Sequence, residues 1–161
     1  MGVAGVGKTT VAERLVAELE LVFAEGDDYH PPANVEKMSS GEALTDEDRW
    51  PWLEELAGWT RERGAAGQST VLTCSALRKV YRDVLRKADP DTFFIHLSGD
   101  QDLLRERMES RQHYMPVSLL RSQFDTLEPL DPGESGVTID VTQTIDEVVD
   151  EAVAAARSAL P

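Results

Sequence analysis

The stretch GVAGVGKTT, Gly2 to Thr10, constrains its own geometry more tightly than any other part of the chain. Gly2 through Thr9 follow the spacing GxxxxGK(S/T). Gly2 and Gly7 reach backbone angles closed to residues with a Cβ, so main-chain amides from Gly2, Gly5, Val6, Gly7, Lys8, Thr9 and Thr10 can turn inward around a phosphate. A helix predicted to start near Lys8 adds the positive end of its dipole. Lys8 is expected on the β and γ phosphates of ATP, and the Thr9 hydroxyl on a Mg²⁺ ion that bridges them. Such a loop normally hangs from the end of a buried strand, yet only Met1 stands before it. A small parallel sheet short of its central strand would leave two neighbouring strands and the apolar side of the first helix uncovered. Strand-forming residues are therefore expected ahead of Met1.

The rest of the chain alternates short apolar runs with helical periodicity. Val11, Leu15, Val16 and Leu19 recur on one face behind the loop, with Glu13 and Arg14 opposite. LVFAEGDDYHPP reads as a strand stopped by Gly26, and TDEDRWPWLEELAGWTRERGAAG as a helix opened by Thr45 and Asp48 in a capping box. STVLTCS and TFFIHL are further strands, each followed by a helical run, ALRKVYRDVLRKA and GDQDLLRERMESR. VTIDV and the helix capped by Thr144 and Glu147 close the pattern. This alternation predicts one α/β domain over residues 1–161, a parallel sheet between helices. Ligands gather at the carboxyl ends of such strands, which brings Gly5 to Thr9, Glu25 to Asp28, Cys74 to Arg78 and Ser98 to Asp100 to one rim.

Glu25, Asp27 and Asp28 supply acid beside the phosphate loop. Strand alternation turns Glu25 and Asp27 toward the nucleotide and Asp28 away. A carboxylate there can orient an attacking hydroxyl and take its proton. His30, Lys37 and Arg49 fall in a helical segment of about 30–64, where Arg49 can fork onto a carboxylate and the other two can donate to hydroxyls. Trp50, Trp52 and Trp59 are read as packing residues, and His96 as a core or edge histidine. Arg107 and Arg111 share a helix face ahead of QHYMP, and the stretch of about 107–118 is expected to act as a lid bringing guanidinium groups to the phosphoryl oxygens.

The formal net charge of −14 and pI near 4.5 argue against nucleic acid or anionic membranes as partners. Cys74, the one cysteine, has no internal disulfide partner, and no apolar run reaches the length of a membrane span. No secretory signal is legible either, so a cytoplasmic location is expected.

GVAGVGKTT, EGDDYHPPANVEKMSSGEALTDEDRWPWL, CSALRKVYRDVLR and SQFDTLE together resemble gluconate kinases of the thermoresistant type, relatives of shikimate and nucleoside monophosphate kinases. The likeness covers nearly the whole chain. It implies transfer of phosphate from ATP, with Mg²⁺, to the 6-hydroxyl of D-gluconate. It also implies a three-layer P-loop kinase fold with five parallel strands in the order 2-3-1-4-5, often as a homodimer. Carried onto matching positions, it implies Lys8 and Thr9 for ATP and metal, and Asp27 as proton acceptor. Arg49 would face the substrate carboxylate, with His30, Lys37, Ser75 and Arg78 lining the sugar-acid pocket and Arg107 and Arg111 in the lid. Glu25 stands where relatives often carry Asp, and RQHYMP is shorter than the family's Arg-x-Gly-His-Phe pattern. The residues alone leave open a kinase of another small acid such as shikimate, and a nucleotide-sensing domain that transfers nothing.

Overall fold

The computed structural model describes residues 1–110 and 116–160. Four strands run in order of sequence: β1 (Val22–Glu25), β2 (Thr70–Thr73), β3 (Phe94–Ser98) and β4 (Gly136–Asp140). Helices α1 (Lys8–Leu19), α2 (Pro32–Ser39), α3 (Asp46–Ala65), α4 (Lys79–Ala88), α5 (Gln101–Glu109), α6 (Ser118–Thr126) and α7 (Ile145–Ala159) intervene, with a 3-10 turn over Gly26–Tyr29. β1 pairs with β2 and β3 with β4, both parallel, in registers that set Val22 beside Thr70 and Phe94 beside Gly136.

The parallel α/β arrangement is as the alternation predicts, but the strands form two two-stranded sheets among the described residues, not one five-stranded sheet. The reason lies at the amino end. Met1 donates to Ile95 O at 2.5 Å and accepts from Leu97 N at 3.0 Å, while Gly2 donates to Ser75 O at 3.1 Å. Met1 thus sits beside the middle of β3 and Gly2 beside the residues just past β2, and these two contacts bridge the sheets. Farther back, the facing edges of β2 and β3 border a cavity of about 320 Å³ walled by Leu15, Leu21, Val71, Leu72 and Ile95. Val71 and Leu72 are accordingly only half-buried, although their run of apolar residues predicts cover on both faces.

Two helix pairs cover the strands: α1 packs on α7, and α3 on α4. Their contact residues are those of the sequence periodicity, with Val11 and Leu15 meeting the core beside Val148, Val149 and Ala152, and Leu53 and Leu56 beside Tyr81 and Leu85. Thr45 caps α3 as predicted: its hydroxyl accepts from Asp48 N at 3.2 Å while the Asp48 carboxylate accepts from Thr45 N at 2.8 Å. α4 begins at Lys79, later than its periodicity suggests, because Ala76 turns left-handed at φ 45° and ends the strand in a loop. Arg82, fully buried, donates to Ala76 O at 3.1 Å and holds that turn.

Candidate active site

Gly7 is the N-cap of α1 at φ 96°, a left-handed angle that favours glycine and aims the first amides of the helix into the loop. Lys8 folds its ammonium onto Gly2 O and Val3 O, both at 3.1 Å, so the loop is closed around its own lysine. Burial holds that ammonium below its ordinary range, with Asp27 the strongest opposing influence. An entering phosphate would add negative charge beside this half-buried ammonium.

β1 ends at Glu25, and the strand can cross over Thr73 at that point because Gly26 has no side chain. A Cβ there would sit 2.0 Å from Thr73 O. The crossing delivers Glu25 to the Thr9 hydroxyl, which donates to it at 2.6 Å. Thr73 Oγ1 donates to the other oxygen of the same carboxylate. Asp27 follows on the 3-10 turn and faces the same cleft as Lys8, whereas Asp28 is exposed. The turn sets these directions, since the strand ends at Glu25 and its alternation does not reach Asp27.

A cleft beside the loop is walled by Ala4, Lys8, Asp27, His30, Arg49 and Ser75, with Leu119, Ser122 and Gln123 of α6 on the far side. Arg49 is buried at 7% exposure, and its Nε has no hydrogen-bond partner among the described residues. Its guanidinium reaches only Leu44 O, at 3.4 Å, and lies 5.3 Å from the centre of the Tyr81 ring. A buried cation so thinly satisfied retains donors that an anion in the cleft would fill.

His30 stacks on Trp52 with ring centroids 4.1 Å apart, and Trp52 in turn donates to Gly26 O at 2.7 Å. Burial lowers the His30 pKa to about 4, so its ring is neutral at pH 7. Asn34 spends its amide hydrogens on Asp48 O at 2.9 Å and His30 Nδ1 at 3.3 Å. That assigns the ring proton to Nε2, which lies 3.8 Å from Asp27 Oδ1. Asn34 belongs to the HPPANVEKM run that carries the family resemblance, but the resemblance assigns it no role.

The remaining expected residues lie elsewhere. Lys37 is paired with Asp48 at 2.7 Å. Arg78 is held by Asp46 at 2.7 Å and Glu128 at 3.4 Å in a neighbouring depression with Tyr81, outside the cleft wall. Arg107 donates to Val141 O at 2.8 Å, beyond the end of β4. Arg111, and the rest of residues 111–115 within the stretch expected to form a lid, lie outside the described residues.

Residues 1–130 match the family described as AAA domain. The gluconokinase of Gluconobacter oxydans is 47% identical over 95% of this chain and 86% of its own. The chain belongs to the gluconokinase family. A solved gluconokinase from Sinorhizobium meliloti superposes with a TM-score of 0.85 at 44% identity, covering 99% of this chain and 90% of that one. A solved sugar kinase from Janibacter gives 0.94 at 48% identity, covering 98% and 91%. Lys8, Asp27 and Arg49 line one cleft although 41 positions separate Lys8 from Arg49.

Proposed function

We propose that the chain is an ATP-dependent kinase of D-gluconate, yielding 6-phosphogluconate and ADP. The observation that carries this reading is the cleft itself, with Asp27 and Lys8 near the phosphate loop and the buried, under-satisfied Arg49 on the same wall. A sugar acid has a carboxylate for Arg49 and a terminal hydroxyl for Asp27. The hydroxyl oxygen attacks the γ phosphorus, the bond to the β–γ bridging oxygen breaks, and the hydroxyl proton passes to the Asp27 carboxylate. Lys8, released from Gly2 O and Val3 O, balances charge on the transferred group. Neutral His30 orients the acceptor without competing for its carboxylate.

Thr9 and Glu25 would hold Mg²⁺. They are hard oxygen donors already in contact, the kind of ligand Mg²⁺ takes beside phosphates and water. When bound, the ion draws charge from the phosphate oxygens. Lys37 and Arg78 shape the pocket from behind through Asp48 and Asp46, Arg107 serves at the phosphates only if it leaves Val141 O, and Arg111 is assigned to the lid. No described helix is long and apolar enough to cross a membrane.

ADP release coupled to a panel of sugar acids tests the reading. Turnover with gluconate should exceed that with shikimate by orders of magnitude. Equal rates would overturn the substrate, and nucleotide binding without any acceptor-dependent ADP would overturn the kinase.

A further inference from the structure

The phosphate loop is pliable by composition. Gly2, Gly5 and Gly7 all sit at positive φ, at 137°, 81° and 96°, and glycine passes between such angles and ordinary ones at little cost. Between them lies Ala4, buried at 4% exposure, whose N–H needs an acceptor. No neighbour in the loop provides it. The Ala4 amide donates at 2.6 Å to Gln123 Oε1, from 119 positions away on α6. Gln123 is itself buried at 9% exposure.

The same helix faces the acceptor. Leu119 and Ser122 line the cleft that holds Asp27 and Arg49, and Ala4 and Gln123 lie on that wall too. Just past α6, Glu128 accepts from Lys79 N at 2.6 Å and donates through its own amide to Leu77 O at 2.7 Å, which ties the end of α6 to the loop after β2. One rigid element therefore touches both compartments between which the phosphoryl group must pass.

We propose that Gln123 is a positioning residue for phosphoryl transfer. By fixing the Ala4 amide on α6, it commits that N–H to the protein instead of the nucleotide and sets the register of the loop against the acceptor pocket. This rests on the kinase reading for its consequence, though not for the contact. A displacement of the γ phosphorus by about 1 Å costs on the order of 100-fold in rate, whereas the amides that grip the phosphates remain in place.

Gln123→Met keeps the length of the side chain and removes the acceptor. Its kcat should fall about 10- to 100-fold, with the KM values for ATP and gluconate within about threefold of the parent. ATP hydrolysis without acceptor should rise relative to transfer. Amide exchange at Ala4, read by NMR in the nucleotide-free protein, should be slow in the parent, fast in Gln123→Met and slow again in Gln123→Glu, whose carboxylate can accept the same bond. A merely structural glutamine would lower the melting temperature and leave kcat of the folded protein alone. Parental kcat in Gln123→Met, or unchanged Ala4 exchange, overturns the proposal. Should that variant fail to fold, Gln123→Asn, one methylene short of the loop, must show the same split. A parent that phosphorylates no sugar acid would sink the kinase reading, while the exchange pattern would still decide whether Gln123 anchors the loop.

Discussion

At Asp27 the exchange of one oxygen for an amide nitrogen separates a proton acceptor from a group of the same shape. Asp27→Asn should lower kcat by about 100- to 10,000-fold, the usual span for a lost general base, while ATP affinity stays near the parent because Lys8 and the loop amides are untouched. Isothermal titration with a non-hydrolysable ATP analogue beside steady-state kinetics checks both halves. Arg49 predicts the opposite split. Arg49→Lys keeps a charge but loses the planar fork, and a charge-assisted bond of about 1.5–3 kcal/mol corresponds to a KM for gluconate raised roughly 10- to 100-fold with a smaller change in kcat. An unchanged KM would remove Arg49 from the carboxylate. Asp27 and Arg49 were legible because their residue types have few uses at a strand end or on a buried helix face. Lys37 and Arg78 look equally suitable in the sequence, but their carboxylate partners are 11 to 50 positions away and no local spacing shows them.

Among the elements, α3 announces itself most clearly and also places the most chemistry. Its capping box fixes where the first turn begins, and so where Arg49 and Trp52 point. Thr45→Ala removes the acceptor for Asp48 N and should cost about 1 kcal/mol, a fall of roughly 2–4 °C in Tm for a chain of this size. Thermal unfolding followed by circular dichroism reads it, and an unchanged Tm would mean that the cap is replaced by solvent. α6 shows the converse. Leu119 and Leu120 are buried, but the next buried position toward the active site is Gln123, so the apolar periodicity that identifies a helix is interrupted by the residue that gives this one its role. α4 was legible in type but not in start, because the left-handed turn at Ala76 depends on Arg82 and on carbonyls contributed from Glu128 and Pro129.

Across the whole molecule, parallel strands between helices followed from alternation, whereas the order 2-3-1-4-5 is not seen in the two separate pairs β1–β2 and β3–β4, which Met1 and Gly2 bridge through single residues. What ties the far side of the molecule together is a buried ion pair. Glu134, nearly inaccessible, accepts from Arg82 Nε and Nη2 at 2.8 Å each and from Asp131 N at 2.9 Å, with Arg86 at 3.1 Å. The Arg82 guanidinium draws the Glu134 pKa down to about 2 from 4.5. A depressed carboxylate contributes stability that is whole above its unfolded value and declines as pH falls through its folded one. The contribution of Glu134 should therefore be intact above about pH 4.5 and disappear toward pH 2. Asp48, drawn down to about 2 by Lys37, adds to the same slope from a half-buried position. Glu134→Gln separates them: it leaves Arg82 buried without its counter-charge, so stability at pH 7 should fall by about 3–5 kcal/mol. The loss between pH 4.5 and 2 should become shallower without vanishing, because the Asp48 share remains. Urea unfolding of both proteins at pH 7, 5, 4 and 3 measures the two slopes, and parallel curves would show that Arg82 holds the fold through its carbonyl contacts alone.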